Sequence, residues 1–152
     1  MASLYLILLT LHNWTRWAVL LAGVWALVAT LTDRAGAHRA SGEAAPAPRP
    51  AFRGPVAAFM GSLHLQVLLG LALFALAGMN GAGVFGDGPR SSFQWEHLAI
   101  GLLSAVLATL GNRAAKSGAA GRNVAVWVAL AWLPLLVMIP WWRPLLRLFG
   151  PG

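Results

Sequence analysis

Long apolar runs, separated by short polar stretches, extend along most of this chain. Four of these runs are long enough to cross a bilayer, which requires about 20 predominantly apolar residues in a helix. No segment alternates with a period of two over enough residues to suggest the strands of a barrel. The pattern predicts an all-α protein, an up-down four-helix membrane bundle forming a single domain over residues 1–152. The predicted spans are about 3–32, 55–77, 93–110 and 123–142, and the first connection is a linker at 33–54.

Composition supports this assignment. The chain is 59% hydrophobic and 10% charged, whereas soluble domains carry about 25% charged residues. Cysteine is absent, which excludes disulfides, thiolate metal ligands and covalently attached haem. The net charge of +7 is compatible with nucleic-acid binding. However, the basic residues flank apolar spans, so they indicate membrane topology and lipid head groups, and we expect no nucleic-acid partner.

Basic residues concentrate in two of the three connections. The first connection contains Arg34, Arg39, Arg49 and Arg53, the third contains Arg113, Lys116 and Arg122, and the second contains Arg90. The positive-inside rule therefore places the first and third connections, including the linker, in the cytoplasm. Both termini then lie outside, although Arg143 and Arg147 near the C-terminus oppose this orientation. The expected location is a bacterial cytoplasmic (inner) membrane.

A glycine-rich stretch, GAGVFG at residues 81–86, matches the dinucleotide fingerprint G-x-G-x-x-G. That fingerprint binds a nucleotide only between a strand and a helix of a βαβ unit. Here it follows a predicted membrane helix, so we interpret it as a loop.

The polar residues inside the spans carry the functional information. Ionisable groups in hydrocarbon cost about 2.5–3.5 kcal/mol each on insertion scales, so they need a partner or a function. The candidates are His12 and Arg16 in the first span, His64 and Gln66 in the second, and Glu96 and His97 in the third. Histidines on three different helices of one small bundle are the strongest signal in this sequence.

Helical spacing places some of these residues on common faces. His12 and Arg16 are four residues apart and share one face of the first helix. His97 begins a stripe of small residues, which continues through Gly101, Ser104, Ala108 and Gly111. Such a stripe allows either close helix packing or a slot for a flat macrocycle. Periodicity alone does not distinguish these two interpretations.

The depth of His12 also has two interpretations. If the first helix starts near Ser3, His12 lies about 13 Å along it, and His64 lies about 14 Å along the second helix. The two histidines then meet near the midplane. If instead Trp14 and Trp17 mark the membrane interface, His12 is shallow and level with His97. The pair is then His12 with His97, and His64 stands apart.

Three chemistries fit this set of side chains. The first is one non-covalent b-type haem, with two histidines as axial ligands, Met60 as a weaker axial candidate, and Arg16 paired with a propionate. The second is a Cu, Zn or Fe ion bound by His12, His64, His97 and Glu96, as in a metal-binding or metal-transport membrane protein. The third is a proton or quinone site using Glu96 and His97.

Each candidate residue also has a purely structural interpretation. A histidine beside tryptophan can be an interfacial anchor, and Gln66 can form a hydrogen bond between helices. The small size of the chain would also suit a non-catalytic accessory subunit of a larger membrane complex. The spans contain no nucleophile with a nearby base, so any catalysis beyond electron transfer would depend on a cofactor.

Four short motifs occur in order along the four spans: LHNWTRW at 11–17, HLQVLLGL at 64–71, WEHLAIG at 95–101 and MIPWW at 138–142. In this order the chain resembles a group of small bacterial four-helix membrane proteins labelled cytochrome b or cytochrome b561-like. The resemblance implies a haem-binding redox membrane protein, with imidazole ligands drawn from His12, His64 and His97. The first hypothesis is therefore a membrane electron carrier that passes electrons between quinol and an outer-side acceptor, such as another membrane redox protein. A full b561 pattern uses four membrane histidines for two haems. Three histidines here support at most one bis-histidine haem.

Overall fold

Four α-helices account for nearly all of the chain that the structure describes. The computed structural model describes residues 2–33, 50–79 and 92–141. The helices are α1 (Ala2–Leu31), α2 (Arg53–Met79), α3 (Phe93–Lys116) and α4 (Gly121–Met138). All four are long and apolar enough to cross a membrane, and the described residues contain no strand. The prediction of an all-α, multi-pass four-helix protein is therefore confirmed. The fingerprint-like stretch at 81–86 and most of the linker lie outside the described residues.

Each helix packs against its neighbours in sequence, and α1 also packs against α4, which closes the bundle. Contacts between the two helices show that the neighbouring helices α1 and α2 are antiparallel. His12 contacts Gly70 while Thr15 contacts Gln66, so α1 and α2 run in opposite directions. Their opposed directions put the start of α1 and the end of α2 at the same end of the bundle.

The helix ends differ from the predicted spans for physical reasons. α3 continues six residues past the predicted end, because a helix can carry polar residues such as Asn112 and Lys116 beyond the apolar segment. It stops at Gly118, whose φ of 86° closes the last turn with a bond from Ala119 N–H to the Ala114 carbonyl. α4 ends earlier than predicted because Pro140 forces the preceding residue into extended backbone.

The bundle interior is built from apolar side chains that range in size from phenylalanine to alanine. On α2 the buried residues Val56, Phe59 and Leu63 recur at the spacing of one helical face, and Phe52, just before the helix, is buried with them. Small residues on α3 and α4, such as Ala108 and Ala131, face them in the same cluster. Large apolar residues such as Leu21 and Val137 are exposed on the outside, as expected for contact with lipid.

Gly121 allows the start of α4 to approach the end of α1 closely. A Cβ on Gly121 would lie 2.3 Å from the backbone carbonyl oxygen of Thr30, which cannot move aside. A Cβ on Gly61 would meet nothing within 4 Å. We expect Gly121→Ala to lower the free energy of unfolding by about 1–3 kcal/mol through overpacking. Gly61→Ala should leave stability unchanged or raise it by about 0.5–1 kcal/mol, because alanine favours the helix.

Thermal unfolding in detergent, followed by circular dichroism, measures both variants. Equal midpoints for Gly121→Ala and the wild-type protein would contradict the packing of α1 against the start of α4.

Candidate functional site

His12 and His97 come together inside the bundle, from α1 and α3. Their ring centroids are 6.4 Å apart, with an angle of 59° between the ring planes. The two helices are diagonal in the bundle, so the imidazoles meet across its interior and not along one interhelical groove. We call this arrangement the histidine pair.

The histidine pair lies near one end of the bundle. Residues 2–11 precede His12 in α1, whereas only residues 93–96 precede His97 in α3. His97 is therefore about 6 Å from the start of its helix and His12 about 15 Å from the start of its own. Trp14, beside His12, is 51% exposed. α1 starts at Ala2, close to the start that the midplane alternative assumed. The ring of His12 nevertheless faces His97, while His64 is exposed on the outside of the bundle, so the pairing observed is His12 with His97.

α2 holds the His12 ring on two sides. A Cβ on Gly70 would lie 3.1 Å from Cε1 of the imidazole, so only glycine gives the ring this position without displacement. One turn away, Nε2 of His12 lies 3.1 Å from Nε2 of Gln66. His12 Nδ1 is buried and has no hydrogen-bond partner among the described residues.

The contact with Gln66 determines where His12 carries its proton. An amide nitrogen only donates, so Nε2 of His12 must accept, and the proton of the neutral ring lies on Nδ1. The Gln66 carbonyl oxygen accepts a hydrogen bond from the Thr15 hydroxyl on α1. That bond turns the Gln66 amide nitrogen towards His12.

The end of α4 orients His97. Nδ1 of His97 donates to the backbone carbonyl of Met138, at 2.8 Å. The last carbonyls of a helix lack intrahelical partners, so this bond also satisfies the end of α4. The Phe93 ring stacks on His97, with centroids 5.9 Å apart. With its proton on Nδ1, the neutral His97 ring carries its lone pair on Nε2.

Arg16 lies one helical turn deeper than His12 on the same side of α1. Only 8% of it is exposed, so it does not extend to lipid head groups as an interfacial arginine does. Its guanidinium carbon lies 5.5 Å from the centroid of the Trp17 ring, a cation–π contact. The bundle thus holds a buried cation next to the histidine pair.

His64 and Met60 lie away from the histidine pair. His64 is exposed on the outside of the bundle, where its Nδ1 lies 2.7 Å from the Met60 carbonyl and its Nε2 3.3 Å from the Thr109 hydroxyl. The Met60 side chain packs against the apolar core. Ten residues separate Met60 from Gly70, or roughly 15 Å along α2. Met60 is thus too far along the bundle to ligate a group held by the histidine pair.

Glu96 lies in the first turn of α3, where its side chain is hydrogen-bonded to the N-cap residue. Its carboxylate accepts a hydrogen bond of 2.7 Å from the hydroxyl of Ser92, the N-cap residue. A carboxylate in the first turn also interacts favourably with the helix dipole. Within the described parts of the chain, no three or more His, Cys, Asp or Glu residues are grouped closely enough to hold a metal ion. The predicted four-residue ion site is therefore not assembled there.

The stripe of small residues on α3 serves helix packing. Gly101 faces Val67 of α2, and a Cβ on Gly111 would lie 2.9 Å from the Cβ of Trp127 on α4. Ser104 and Ala108, between them, are each 1% exposed. Close approach of a neighbouring helix is therefore observed at Gly111, whereas at Gly101, one turn from His97, a Cβ would make only ordinary contact with Val67, 3.8 Å away.

Sequence reasoning missed several parts of the site. It treated Gln66 as a general interhelical contact and did not consider Thr15, Gly70 or the Met138 carbonyl. Helical spacing could have identified Thr15 and Gly70 as candidates, because Thr15 shares a face of α1 with His12 and Gly70 shares a face of α2 with Gln66. Every residue has a backbone carbonyl, so the sequence could not identify the Met138 carbonyl as the hydrogen-bond partner of His97.

The fold and the histidine pair together define a class: a four-helix, multi-pass membrane protein with two imidazoles facing each other in its interior. Comparison with known proteins found no matching family model, curated protein or solved structure.

Proposed function

We propose that the protein binds one b-type haem through the histidine pair and transfers electrons within the membrane. His12 and His97 would be the axial ligands. The observation that carries the proposal is the separation of 6.4 Å between their ring centroids. Two imidazoles that share one metal have centroids roughly 6 Å apart, since each metal–nitrogen bond is about 2 Å and each ring centre lies about 1 Å further back.

The number of available ligands favours haem over a bare ion. Protein sites for zinc use three or four side-chain ligands, and the histidine pair supplies two. Haem iron needs only axial ligands from the protein, because the macrocycle provides the other four nitrogens. Among the described residues no third metal-binding side chain joins the pair, so the pair is a complete protein contribution for haem and an incomplete one for zinc.

On the His97 side the surroundings of the pair support the same proposal, whereas Nε2 of His12 contacts the Gln66 amide and would have to release it to bind iron. Metal-bound histidines commonly donate their second ring N–H to a carbonyl, which fixes the ring and raises its basicity. His97 makes this bond with Met138. The buried guanidinium of Arg16 would pair with a haem propionate, because its forked donors match a carboxylate. Bound haem supplies one-electron chemistry, and the chain's own residues bind it, orient it and exclude water.

The position of the pair suggests its redox partner. The opposite end of the bundle carries the basic residues Arg53, Arg113, Lys116 and Arg122. By the positive-inside rule that end faces the cytoplasm of a bacterial inner membrane, and both termini lie outside. The histidine pair would then sit in the outer half of the membrane. Quinol dissolved in the bilayer is the electron donor that we propose for it.

An absorption spectrum of the purified protein tests the haem proposal. After expression with ample haem supply, we expect a Soret band, with one haem per chain and the low-spin spectrum of two imidazole ligands. Elemental analysis of the same sample serves as the control and should show iron in the same proportion. A colourless protein that holds one copper or zinc ion per chain would reject the haem proposal in favour of a bare-ion site. A colourless protein free of metal would reject both.

A further inference from the structure

Ser104 is a buried residue inside α3 whose hydroxyl does not bond to its own helix. It is 1% exposed, and its Oγ has no hydrogen-bond partner among the described residues. A hydroxyl within a helix can donate to the carbonyl four residues earlier. Thr30, the other buried hydroxyl residue among those described, makes this bond with Ala26 at 2.8 Å. A buried donor without a partner is destabilising, so the hydroxyl of Ser104 requires an explanation.

Ser104 lies on the interior face of α3 that carries His97. The two residues are seven positions apart, which places Ser104 about 10 Å further along the same face. Gly101 lies between them, and an added Cβ there would meet only the Val67 side chain, at 3.8 Å. The neighbouring helix therefore does not approach this part of the face as closely as α4 approaches Gly111.

Arg16 of α1 lies in the same part of the interior. α3 is antiparallel to α2, as shown by two contacts between them: Val67 with Gly101 and His64 with Thr109. Since α1 is also antiparallel to α2, increasing residue numbers lead away from the histidine pair on both α1 and α3. Arg16 and Ser104 therefore lie on the same side of the histidine pair, one and two turns deeper in the bundle. The buried guanidinium places a positive charge there.

Trp132 of α4 adds a second buried donor. Its indole packs against Gly23, which lies seven residues after Arg16 on the same face of α1. Its Nε1 is buried and has no hydrogen-bond partner among the described residues. An indole N–H and a guanidinium only donate hydrogen bonds. The interior beyond the histidine pair thus offers donors and a positive charge, which is the chemistry that recognises a carboxylate.

We propose that Arg16, Ser104 and Trp132 form a carboxylate site, and that its occupant is a propionate of the haem bound by the histidine pair. The proposal rests on the proposed haem function and adds an orientation to it, with this propionate directed towards the centre of the bundle. A carboxylate buried in hydrocarbon is costly unless it is paired and hydrogen-bonded. Arg16 compensates the charge, and the two unpartnered donors supply hydrogen bonds to the remaining lone pairs.

The first test uses the protein without haem. Ser104→Ala removes an unpartnered buried donor and should raise the midpoint of thermal unfolding by about 2–4 °C. Ser62→Ala is the matched control, because Ser62 is half-buried on α2 and its hydroxyl donates to the Phe59 carbonyl at 3.0 Å. The control should leave the midpoint unchanged or lower it. An unchanged or lower midpoint for Ser104→Ala would show that its hydroxyl already has a partner, and would overturn the proposal.

The second test compares the affinity for haem with that for haem dimethyl ester, in which both propionates are esterified and uncharged. The wild-type protein should bind the ester at least about tenfold more weakly. Ser104→Ala should bind haem about tenfold more weakly than the wild type, through loss of one hydrogen bond to a charged group, and should bind the ester unchanged. Trp132→Phe keeps an aromatic ring, removes the N–H and should show the same pattern. Ser62→Ala should bind both compounds as the wild type does.

The outcomes separate this site from the haem proposal itself. Equal losses for haem and its ester in Ser104→Ala would show that the hydroxyl supports the bundle and not a carboxylate, which would overturn the proposal. Unchanged haem binding in Ser104→Ala would also overturn it. A wild-type protein that binds haem and the ester equally well would reject the propionate site alone. A wild-type protein that binds neither compound would reject the proposed function as well.

Discussion

Replacing either His12 or His97 with alanine is expected to abolish haem binding, while His64→Ala should leave it intact. Each member of the histidine pair supplies one axial ligand in the proposed site. Loss of residues that merely support metal ligands costs about 10–100-fold in affinity, so we expect loss of an axial ligand to cost more than that. His64 is exposed on the outer surface, hydrogen-bonded to Met60 and Thr109, and contributes no ligand.

Haem titration followed by the Soret absorbance measures these three variants side by side. His64→Ala is the matched control, because it removes the same side chain from a neighbouring helix of the same bundle. Added imidazole should partly restore the low-spin spectrum of His97→Ala by occupying the vacated position. Loss of binding in His64→Ala with retention in His12→Ala would show that a different pair of histidines holds the haem.

The second large effect is expected at Gly70, which gives the His12 ring its position. A Cβ at this site would lie 3.1 Å from Cε1 and 3.7 Å from Nδ1 of the imidazole. The branched side chain of Gly70→Val extends further and must displace the ring from its observed position opposite His97. Because the geometry of a ligand pair is strict, we expect haem affinity to fall at least tenfold, the lower bound for disturbing the support of a metal ligand.

Gly61→Val is the control for this substitution. It introduces the same β-branched residue into the same helix, at a position where a Cβ meets nothing within 4 Å. Both variants should keep their helical circular dichroism, so that a difference in haem affinity reports the position of His12. If Gly70→Val and Gly61→Val bind haem equally well, the His12 ring does not depend on Gly70 and the proposed ligand geometry is wrong.

The helices were predictable because bilayer-spanning segments follow from local composition. A run of about 20 apolar residues has few alternatives to a membrane helix, since every backbone polar group must be satisfied within the segment. The predicted starts of α3 and α4 therefore lie within two residues of the observed ones, Phe93 and Gly121. The end of α3 was missed, since hydropathy marks the edge of the membrane and Gly118 marks the end of the helix.

The site was only partly predictable. The sequence identified His12, His64 and His97 as the polar residues that require explanation, and it left two pairings open. Choosing between them required the relative height of the helices, which depends on contacts such as Gly70 against His12 and Met138 against His97. Such heights are not encoded in the periodicity of any single helix.

The sequence by itself determined that this protein is a four-helix membrane bundle with ionisable residues inside three of its four apolar spans. This follows from local physics, because hydrophobic length and the cost of buried charge are properties of each segment alone. The tertiary structure alone decided that His12 meets His97, that His64 faces outward, and that Gln66 holds the ring of His12. These are relations between helices, and they are set by how closely glycines allow the helices to approach and by where backbone carbonyls become available.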